Sequence, residues 1–259
     1  MKTILMERNS PVFHIRFNRP ERLNAVNQDL YKEFLAAMDA AEQDETIRVV
    51  VLAGEGRAFC VGADLKDHAQ GKRSDKEKEA YTKLEQRVCL RIQQSAKPFI
   101  AAVHGYALGA GAEIALACDF VVMTESAQIG FPETGLGTFI GGGLTVTLPL
   151  LVGLKKAREL IMLGDRINGT QAEEAGLIYK SVKEDQLISE TMSLGSRIAG
   201  KAPLSIAMVK KQLRSNYRLS DEAVAALESE SLFQCMKTED WAEGARAFTE
   251  KRAPKFRGT

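Results

Sequence analysis

The sequence lacks long apolar runs, and no stretch reaches the roughly eighteen uncharged apolar residues that a membrane-spanning helix needs. Met1–Ser10 has neither the apolar core of a secretory signal nor the Arg- and Ser-rich amphipathic pattern of an organelle-targeting segment. We therefore expect a cytoplasmic protein with no membrane partner.

An excess of one charge is also absent, since 35 lysines and arginines are balanced by 34 aspartates and glutamates. Bulk charge therefore gives no indication of nucleic acid as a partner. The hydrophobic share of 45% and the charged share of 27% are those of a soluble globular protein. A length of 259 residues suits one catalytic domain with a helical appendage.

Cysteine and histidine are scarce. The cysteines have neither metal-site nor disulfide-framework spacing and are expected to be reduced core residues: Cys60, Cys89, Cys118 and Cys235. His14 falls in an alternating strand pattern, and His68 borders a densely charged segment. We expect neither these two nor His104 to act as the acid or base of a reaction.

The first part of the chain predicts a βαβ-type unit. Val12–Phe17 alternates with a period of two, and Asn27 is placed to cap the helix that follows. Arg48–Ala53 is short, β-branched and apolar, as buried parallel strands are. Gly54–Asp67 is loop-like, and Gln70–Glu79 is so densely charged that we expect a mobile surface segment, placed to cover a site.

A second unit begins at Pro98. Phe99–Val103 predicts a strand, the glycine-rich residues after it lead into an apolar helix at Ala112–Cys118, and Phe120–Met123 predicts another strand. After residue 143 the patterns are helical, apart from a short strand at Leu177–Val182. The helices are expected at Leu144–Leu151, Leu154–Leu163, Ala172–Ala175, Leu187–Ala199, Leu204–Tyr217, Glu222–Gln234 and Trp241–Glu250.

Two glycine-rich loops that lead into helices are the candidates for chemistry: Ala58–Lys66 and Gly105–Glu113. The first N–H groups of a helix have no internal partner and carry the positive end of the dipole. If the loops meet, one N–H from each binds a carbonyl oxygen as it becomes an enolate, worth roughly 3–4 kcal/mol per donor. Either loop alone equally fits a tight turn or close helix packing.

Several motifs stand in an order and spacing that resemble one family. They are Arg19-Pro20 with Asn24-Ala25, Ala58–Leu65, Lys97–Gly109, Glu113, Ala117–Asp119, Phe131–Glu133 and Ala247–Arg252. Together they resemble the enoyl-CoA hydratase/isomerase family, also called the crotonase family, over nearly the whole chain. The resemblance implies an α/β fold with a crotonase-like repeated ββα core, here residues 1–195. It also implies a C-terminal helical oligomerisation region, residues 196–259, that builds homotrimers or dimers of trimers.

The same resemblance assigns the reaction. It implies that the backbone N–H groups of Ala63 and Ala110 form an oxyanion hole. Hydratases of the family carry two glutamates twenty positions apart, as Glu113 and Glu133 are, whereas an isomerase typically retains only the second. The pair favours reversible hydration of an α,β-unsaturated enoyl-CoA thioester to a hydroxyacyl-CoA. Glu113 is the expected base toward water, Glu133 the group that handles the α-carbon proton, and Gly141 the residue whose N–H places the water.

Substrate binding is also assigned by resemblance. The expected contacts with the acyl-CoA come from Arg22, Leu23, Val61, Asp64, Leu65, Lys66 and Lys251. Asp64 also fits a purely supporting role at the start of a helix. Lys66, Lys251 and Arg252 are either phosphate contacts of coenzyme A or ordinary surface charges. Coenzyme A is part of the substrate, so the resemblance implies neither a separate cofactor nor a metal. His104 stands where the family carries assorted residues.

The segment after Glu133 departs from the family pattern. Ile140, Leu144, Val146 and Thr147 replace the typical Pro, Gly, Gln and Arg, and Gly135 stands where a larger aliphatic residue is common. The acyl pocket is therefore either widened or repacked, and straight, branched, aromatic and alicyclic acyl groups all remain open.

Two other kinds of function are left open. The scaffold also supports isomerisation, thioester hydrolysis, dehalogenation and decarboxylation, because each exploits a stabilised enolate or related oxyanion. An RNA-binding family member would need a helical face rich in Lys and Arg, but Lys72–Lys83 mixes acids with bases. Nucleic acid is therefore not an expected partner.

Overall fold

The computed structural model describes residues 2–70 and 74–259. Its strands are β1 (Ile4–Asn9), β2 (Val12–Phe17), β3 (Val49–Gly54), β4 (Phe99–Val103), β5 (Tyr106–Leu108), β6 (Phe120–Thr124), β7 (Gln128–Gly130), β8 (Ile167–Asn168) and β9 (Lys180–Val182). Its α-helices are α1 (Gln28–Gln43), α2 (Leu65–Gln70), α3 (Asp75–Gln94), α4 (Ala110–Ala117), α5 (Leu144–Leu163), α6 (Gly169–Glu174), α7 (Leu187–Ala199), α8 (Pro203–Ser215), α9 (Asp221–Met236) and α10 (Glu239–Thr249).

A six-stranded sheet in the order β1-β2-β3-β4-β6-β9 forms the centre of the fold. Only its β1–β2 pair is antiparallel, and the other neighbours are parallel. Successive side chains of a strand point to opposite faces, so Val50 and Leu52 enter the main core while Val49 and Val51 face a second cluster with α7. Burial on both faces explains why β3 and β4 are continuously apolar. The structure thus confirms the predicted α/β class.

Helix α1 forms as its sequence predicts. The side chain of Asn27 accepts a hydrogen bond from the N–H of Leu30 at 2.9 Å and so caps the first turn. The face with helical spacing is buried: Leu30, Tyr31, Phe34, Ala37, Met38 and Ala41. Leu30 and Phe34 belong to the main core beneath the sheet.

The surface position predicted for Gln70–Glu79 is confirmed for residues 74–79, which are all exposed, but these residues begin a helix. Residues 71–73 lie outside the described ranges, but α3 begins at Asp75 and continues for 20 residues. Ser74 and Glu77 form a capping box, in which each side chain accepts from the other's backbone N–H. The helix then buries Tyr81, Val88, Cys89 and Ile92 against the core. Helix α3 therefore covers one side of the main hydrophobic core.

The second predicted unit is present, with a helix that begins earlier than expected. β4 runs into β5, and α4 begins at Ala110 rather than Ala112. All eight residues of α4 are buried. A small sheet in the order β5-β7-β8 holds the start of this helix, because Gly109 N–H donates to the carbonyl of Gly130 at 3.0 Å.

The final third is helical, as its patterns predict. Gly153 has φ 76° and ψ 155° inside α5 and divides it where two separate helices were expected. Strand β9 is shorter than the predicted Leu177–Val182. The expected boundary between residues 195 and 196 falls within α7. Among the described residues, no helix combines the length and apolarity needed to cross a membrane.

Candidate active site

The two glycine-rich loops meet in space. A Cβ added to Gly62 would lie 2.7 Å from the carbonyl oxygen of Leu108 and 3.4 Å from the nitrogen of Ala110. Gly62 also has φ +89° and Gly109 φ +53°, values that L side chains rarely adopt. A Cβ on Gly111 would collide with the carbonyl of Cys60. Glycine is therefore needed at these positions because one backbone lies directly on the other.

The N–H of Ala63 points away from its neighbouring strand. Val26 and Ala63 form a parallel bridge in which Val26 N–H donates to Gly62 and Asp64 N–H donates to Val26. In a parallel pair, the residue between those two bonds turns its own N–H outward. Ala110 is the first residue of α4, so its N–H has no acceptor within the helix. Neither group has a hydrogen-bond partner among the described residues.

Glu113 lies one turn into α4 and is 2% exposed. Its Oε1 accepts a hydrogen bond from Gly141 N–H at 2.6 Å, and its Oε2 is buried without a partner in the described structure. Burial raises the pKa of Glu113 to about 8; the Gly141 N–H opposes this rise, while the charges of Glu85 and Glu133 add to it. A carboxyl group at this pKa can hold or release a proton near neutral pH.

Glu133 approaches the same place from a short 3₁₀ helix at Pro132–Leu136. Its Oε1 is 3.0 Å from the position that a Cβ on Gly109 would take, next to the N–H of Ala110. Its Oε2 is buried and has no partner among the described atoms. Burial raises the pKa of Glu133 as well. Two carboxyl groups with unused oxygens thus flank the start of α4.

The residues of the predicted water loop contact α3. Gly142 N–H donates to Gln86 Oε1 at 3.1 Å, and Gln93 Nε2 donates to the carbonyl of Gly142 at 3.2 Å. A Cβ added to Gly141 would lie 2.7 Å from Glu113 Oε2 and would overlap Gln86 Nε2. The Gly141 N–H predicted to place a water is thus held directly against Glu113.

Hydrogen bonds of two polar side chains, Asp64 and Asn24, hold the loop that carries Ala63. Asp64 accepts a hydrogen bond from Arg19 Nη2 at 2.9 Å and another from Asp67 N–H at 3.3 Å. Asn24 is fully buried and donates to the carbonyls of Glu55 at 2.9 Å and Ala58 at 2.7 Å. Asp64 therefore acts in the structure as a support of its loop, and its expected substrate contact remains a prediction.

The other expected substrate contacts lie on the surface around this loop or near the C terminus. Arg22 and Leu23 lie in the turn before α1, where Leu23 accepts from Val61 N–H at 3.2 Å. Leu65 and Lys66 begin α2 and are exposed. Lys251 follows α10 and is exposed with φ 55°. Arg252, the other candidate for a phosphate contact, has its guanidinium group already paired with Glu243 and Glu250.

In the described structure, neither His14, His104 nor any of the cysteines forms a hydrogen bond with Glu113 or Glu133. His104 Nε2 contacts the carbonyl of Gly56 at 2.9 Å, while His14 Nε2 is buried without a partner among the described residues. His68 lies in α2, and its side chain is outside the described part of the structure. The cysteines are free, and three are buried: Cys60, Cys89 and Cys118, with Cys235 partly exposed.

Three residues near the carboxyl pair were missed by the sequence analysis. Glu85, Gln86 and Gln93 come from α3, which was not predicted, and no short motif marks them. The signal that reveals the helix is its capping box, followed by buried residues at spacings of seven, eight and eleven after Tyr81. Once α3 is recognised, Glu85 and Gln86 fall between two of its buried positions.

Comparison with known proteins agrees with the fold and identifies the family. The sequence profile described as enoyl-CoA hydratase/isomerase matches residues 7–259. The 2,3-dehydroadipyl-CoA hydratase of Escherichia coli (strain K12) is 36% identical over 261 residues, which cover 100% of both chains. The crotonyl-CoA hydratase of Syntrophomonas wolfei is 33% identical and 98% of each chain is covered. The crystal structure of the enoyl-CoA hydratase from Bacillus anthracis has a TM-score of 0.94 at 32% identity, covering 99% of this chain and 100% of that one. The chain belongs to the enoyl-CoA hydratase/isomerase family.

Proposed function

We propose that this protein is an enoyl-CoA hydratase, which reversibly adds water to an α,β-unsaturated enoyl-CoA thioester and forms a hydroxyacyl-CoA. One observation carries the proposal: Glu113 and Glu133 are both buried, each with an unpartnered carboxyl oxygen, beside the unpaired N–H of Ala110. Relatives named as crotonyl-CoA and short-chain-enoyl-CoA hydratases support this reaction.

The N–H groups of Ala63 and Ala110 are the proposed oxyanion hole. Both N–H groups lie where Gly62 packs against Gly109 and Ala110, and neither has a partner in the described structure. A thioester carbonyl placed between them gains negative charge as the β-carbon is attacked, and fixed donors stabilise that charge without reorganising. The positive end of the α4 dipole adds to this effect.

The two glutamates divide the proton transfers. Glu113 accepts a proton from water as the water oxygen bonds to the β-carbon, and the electron pair of the double bond moves toward the thioester oxygen. Glu133 then supplies the proton that the α-carbon needs when the enolate collapses. Hydration therefore starts from the state in which Glu113 is ionised and Glu133 is protonated. Burial raises the pKa of both groups, that of Glu113 to about 8, so raising the pH toward 8 increases the share of ionised Glu113.

Gly141 is the proposed second contact of the water. Its N–H donates directly to Glu113 Oε1 at 2.6 Å, so the water must lie beside this bond, where it can share the N–H and donate to the unpartnered Glu113 Oε2. Hydration needs this water together with both carboxyl groups, whereas isomerisation needs one base that collects and returns a proton. The presence of the full set therefore favours hydration over isomerisation.

The remaining partners are proposed from the fold. An acyl-CoA would pass the exposed Lys66 and Lys251, whose ammonium groups suit its phosphates. The C-terminal region carries exposed apolar side chains, among them Leu213 at 77% and Phe248 at 87% exposure. We infer that these surfaces pack between subunits of a homotrimer or a dimer of trimers, which light scattering would measure. A cytoplasmic location remains a prediction.

A panel assay tests the reaction. Purified protein is incubated with crotonyl-CoA and with longer, branched and aromatic enoyl-CoA thioesters, and the products are weighed by mass spectrometry. Hydration gives products heavier by one water, and H₂¹⁸O places the label on the β-carbon. Recovery of a positional isomer without added mass would instead indicate isomerisation. A lower carbonyl stretching frequency of the bound thioester would report two donors on its oxygen.

A further inference from the structure

Helix α3 brings a third carboxyl group to the catalytic pair. Tyr31 Oη donates a hydrogen bond to Glu85 Oε1 at 3.1 Å. Glu85 directly precedes Gln86, which holds Gly142, and stands one turn before Cys89. The Sγ of Cys89 is 3.4 Å from the position that a Cβ on Gly142 would take. This part of α3 therefore packs directly against the water loop.

Glu85, Glu113 and Glu133 influence one another electrostatically. Burial raises the pKa of Glu85, and the charge of Glu133 adds to the rise against the hydrogen bond from Tyr31. The charges of Glu85 and Glu133 in turn raise the pKa of Glu113. The geometry agrees, because Glu85 lies on the buried stripe of α3, one turn after Tyr81 and one turn before Cys89, and so faces the interior that holds the carboxyl pair.

Glu85 retains an unused acceptor. Among the described residues, Tyr31 is the one group that donates a hydrogen bond to Glu85, and it occupies only Oε1. The side chain is partly buried, and its Oε2 is not among the sealed, unpartnered atoms of the structure. This oxygen is thus free to meet a ligand, unlike the enclosed Oε2 atoms of Glu113 and Glu133.

The direction of the acyl chain follows from the proposed reaction. The thioester carbonyl lies between Ala63 and Ala110, and the β-carbon lies beside Glu113, which delivers the water. In this arrangement, substituents beyond the β-carbon continue past the carboxyl pair toward α3. An alkyl chain there would strip water from Glu85 and return no hydrogen bond, which is costly for a carboxylate.

We propose that Glu85 is a specificity-determining residue that accepts a hydrogen bond from a hydroxyl group carried by the acyl chain beyond its β-carbon. The proposal rests on hydration as the proposed function. A site built to bond a hydroxyl group rejects the analogue that lacks it, because its own polar group is left unpaired. A terminal carboxylate, as in the 2,3-dehydroadipyl thioester named for the Escherichia coli relative, would instead place a further negative charge beside three carboxyl groups.

Matched substrate pairs test the proposal. Each pair compares an ω-hydroxyenoyl-CoA with the alkyl thioester in which a methyl replaces the hydroxyl: 4-hydroxybut-2-enoyl with pent-2-enoyl, 5-hydroxypent-2-enoyl with hex-2-enoyl, and 6-hydroxyhex-2-enoyl with hept-2-enoyl. We expect wild-type kcat/KM to favour the hydroxylated member of at least one pair by about tenfold or more. Glu85→Leu should abolish that preference, and Glu85→Gln, with a neutral acceptor, should reduce it several-fold.

Glu79→Leu is the matched control. It makes the same substitution on an exposed part of α3, where Lys83 is the ion-pair partner of Glu79 among the described residues, and it should keep the wild-type ratio. Equal rates within every wild-type pair would overturn the proposal, as would a preference that survives in Glu85→Leu. If that variant fails to fold, the Glu85→Gln ratio decides, and an unchanged ratio overturns the proposal. Failure of the wild type to hydrate crotonyl-CoA or any panel member would refute the proposed function itself.

Discussion

The substitution Gly141→Ala tests whether the water loop must lie directly against Glu113. The added Cβ would lie 2.7 Å from Glu113 Oε2 and overlap Gln86 Nε2, both too close for ordinary contact. Gly141 has no positive φ, so the substitution acts through these contacts rather than through backbone strain. Relief requires the carboxylate or the loop to move by several tenths of an ångström or more, which lengthens the 2.6 Å bond between Gly141 N–H and Glu113.

We expect this displacement to lower kcat by about a hundredfold, since a misplacement of about 1 Å in a catalytic group costs that much. Stopped-flow absorbance at the enoyl-thioester band measures the rate, and a thermal melt checks folding. Gly244→Ala in α10 is the control, because its added Cβ would make only ordinary contact, 3.7 Å from Phe256, and its φ is not positive. A folded Gly141→Ala enzyme with kcat near that of Gly244→Ala would refute the proposed contact between loop and carboxylate.

Three further results are expected. Glu113→Gln and Glu133→Gln should each lower kcat at least about a hundredfold in steady-state assays, whereas a near-normal rate would remove that residue from the mechanism. Because Glu113 must be ionised and Glu133 protonated, kcat/KM should rise as the pH approaches about 8, the pKa to which burial raises Glu113, and fall at higher pH as Glu133 loses its proton; a profile flat from pH 6 upward would contradict this. Asn24→Ala should lower the free energy of unfolding by about 2–3 kcal/mol in urea titrations, since it strands two carbonyls and a backbone N–H. The exposed Asn9→Ala is its control, and equal stability of the two variants would count against the bracing role.

Elements with a strong local period were predictable from the sequence. Helical spacing predicts the buried face of α1, and Asn27 is a residue type that caps helices. Strands β3 and β4 are short apolar runs, as expected for strands that are buried on both faces. The glutamate pair was found through a family resemblance rather than through a local period. The periodic patterns and each single family motif can be read from a short stretch of chain.

Helix α3 escaped prediction because its polar surface hides its buried stripe. It buries only Tyr81, Val88, Cys89 and Ile92, and its first turns are densely charged. Charge density is typical of solvated segments, yet a helix that covers a core from outside presents the same composition on its solvent face. Strands β5 and β7 escaped for another reason. Each has three residues, and their pairing joins Tyr106 to Gln128, a contact that no local pattern encodes.

The departures after Glu133 become intelligible once α3 is in place. Ile140 takes the place of the usual proline, and three glycines follow it, so the loop has little stiffness of its own. The structure supplies stiffness from outside, because Gln86 accepts from the N–H of Gly142 and Gln93 donates to its carbonyl. Ile140 is itself buried in the main core and anchors the start of the loop. The position of Gly141 against Glu113 therefore depends on Gln86 and Gln93, side chains of a helix that lies far earlier in the chain.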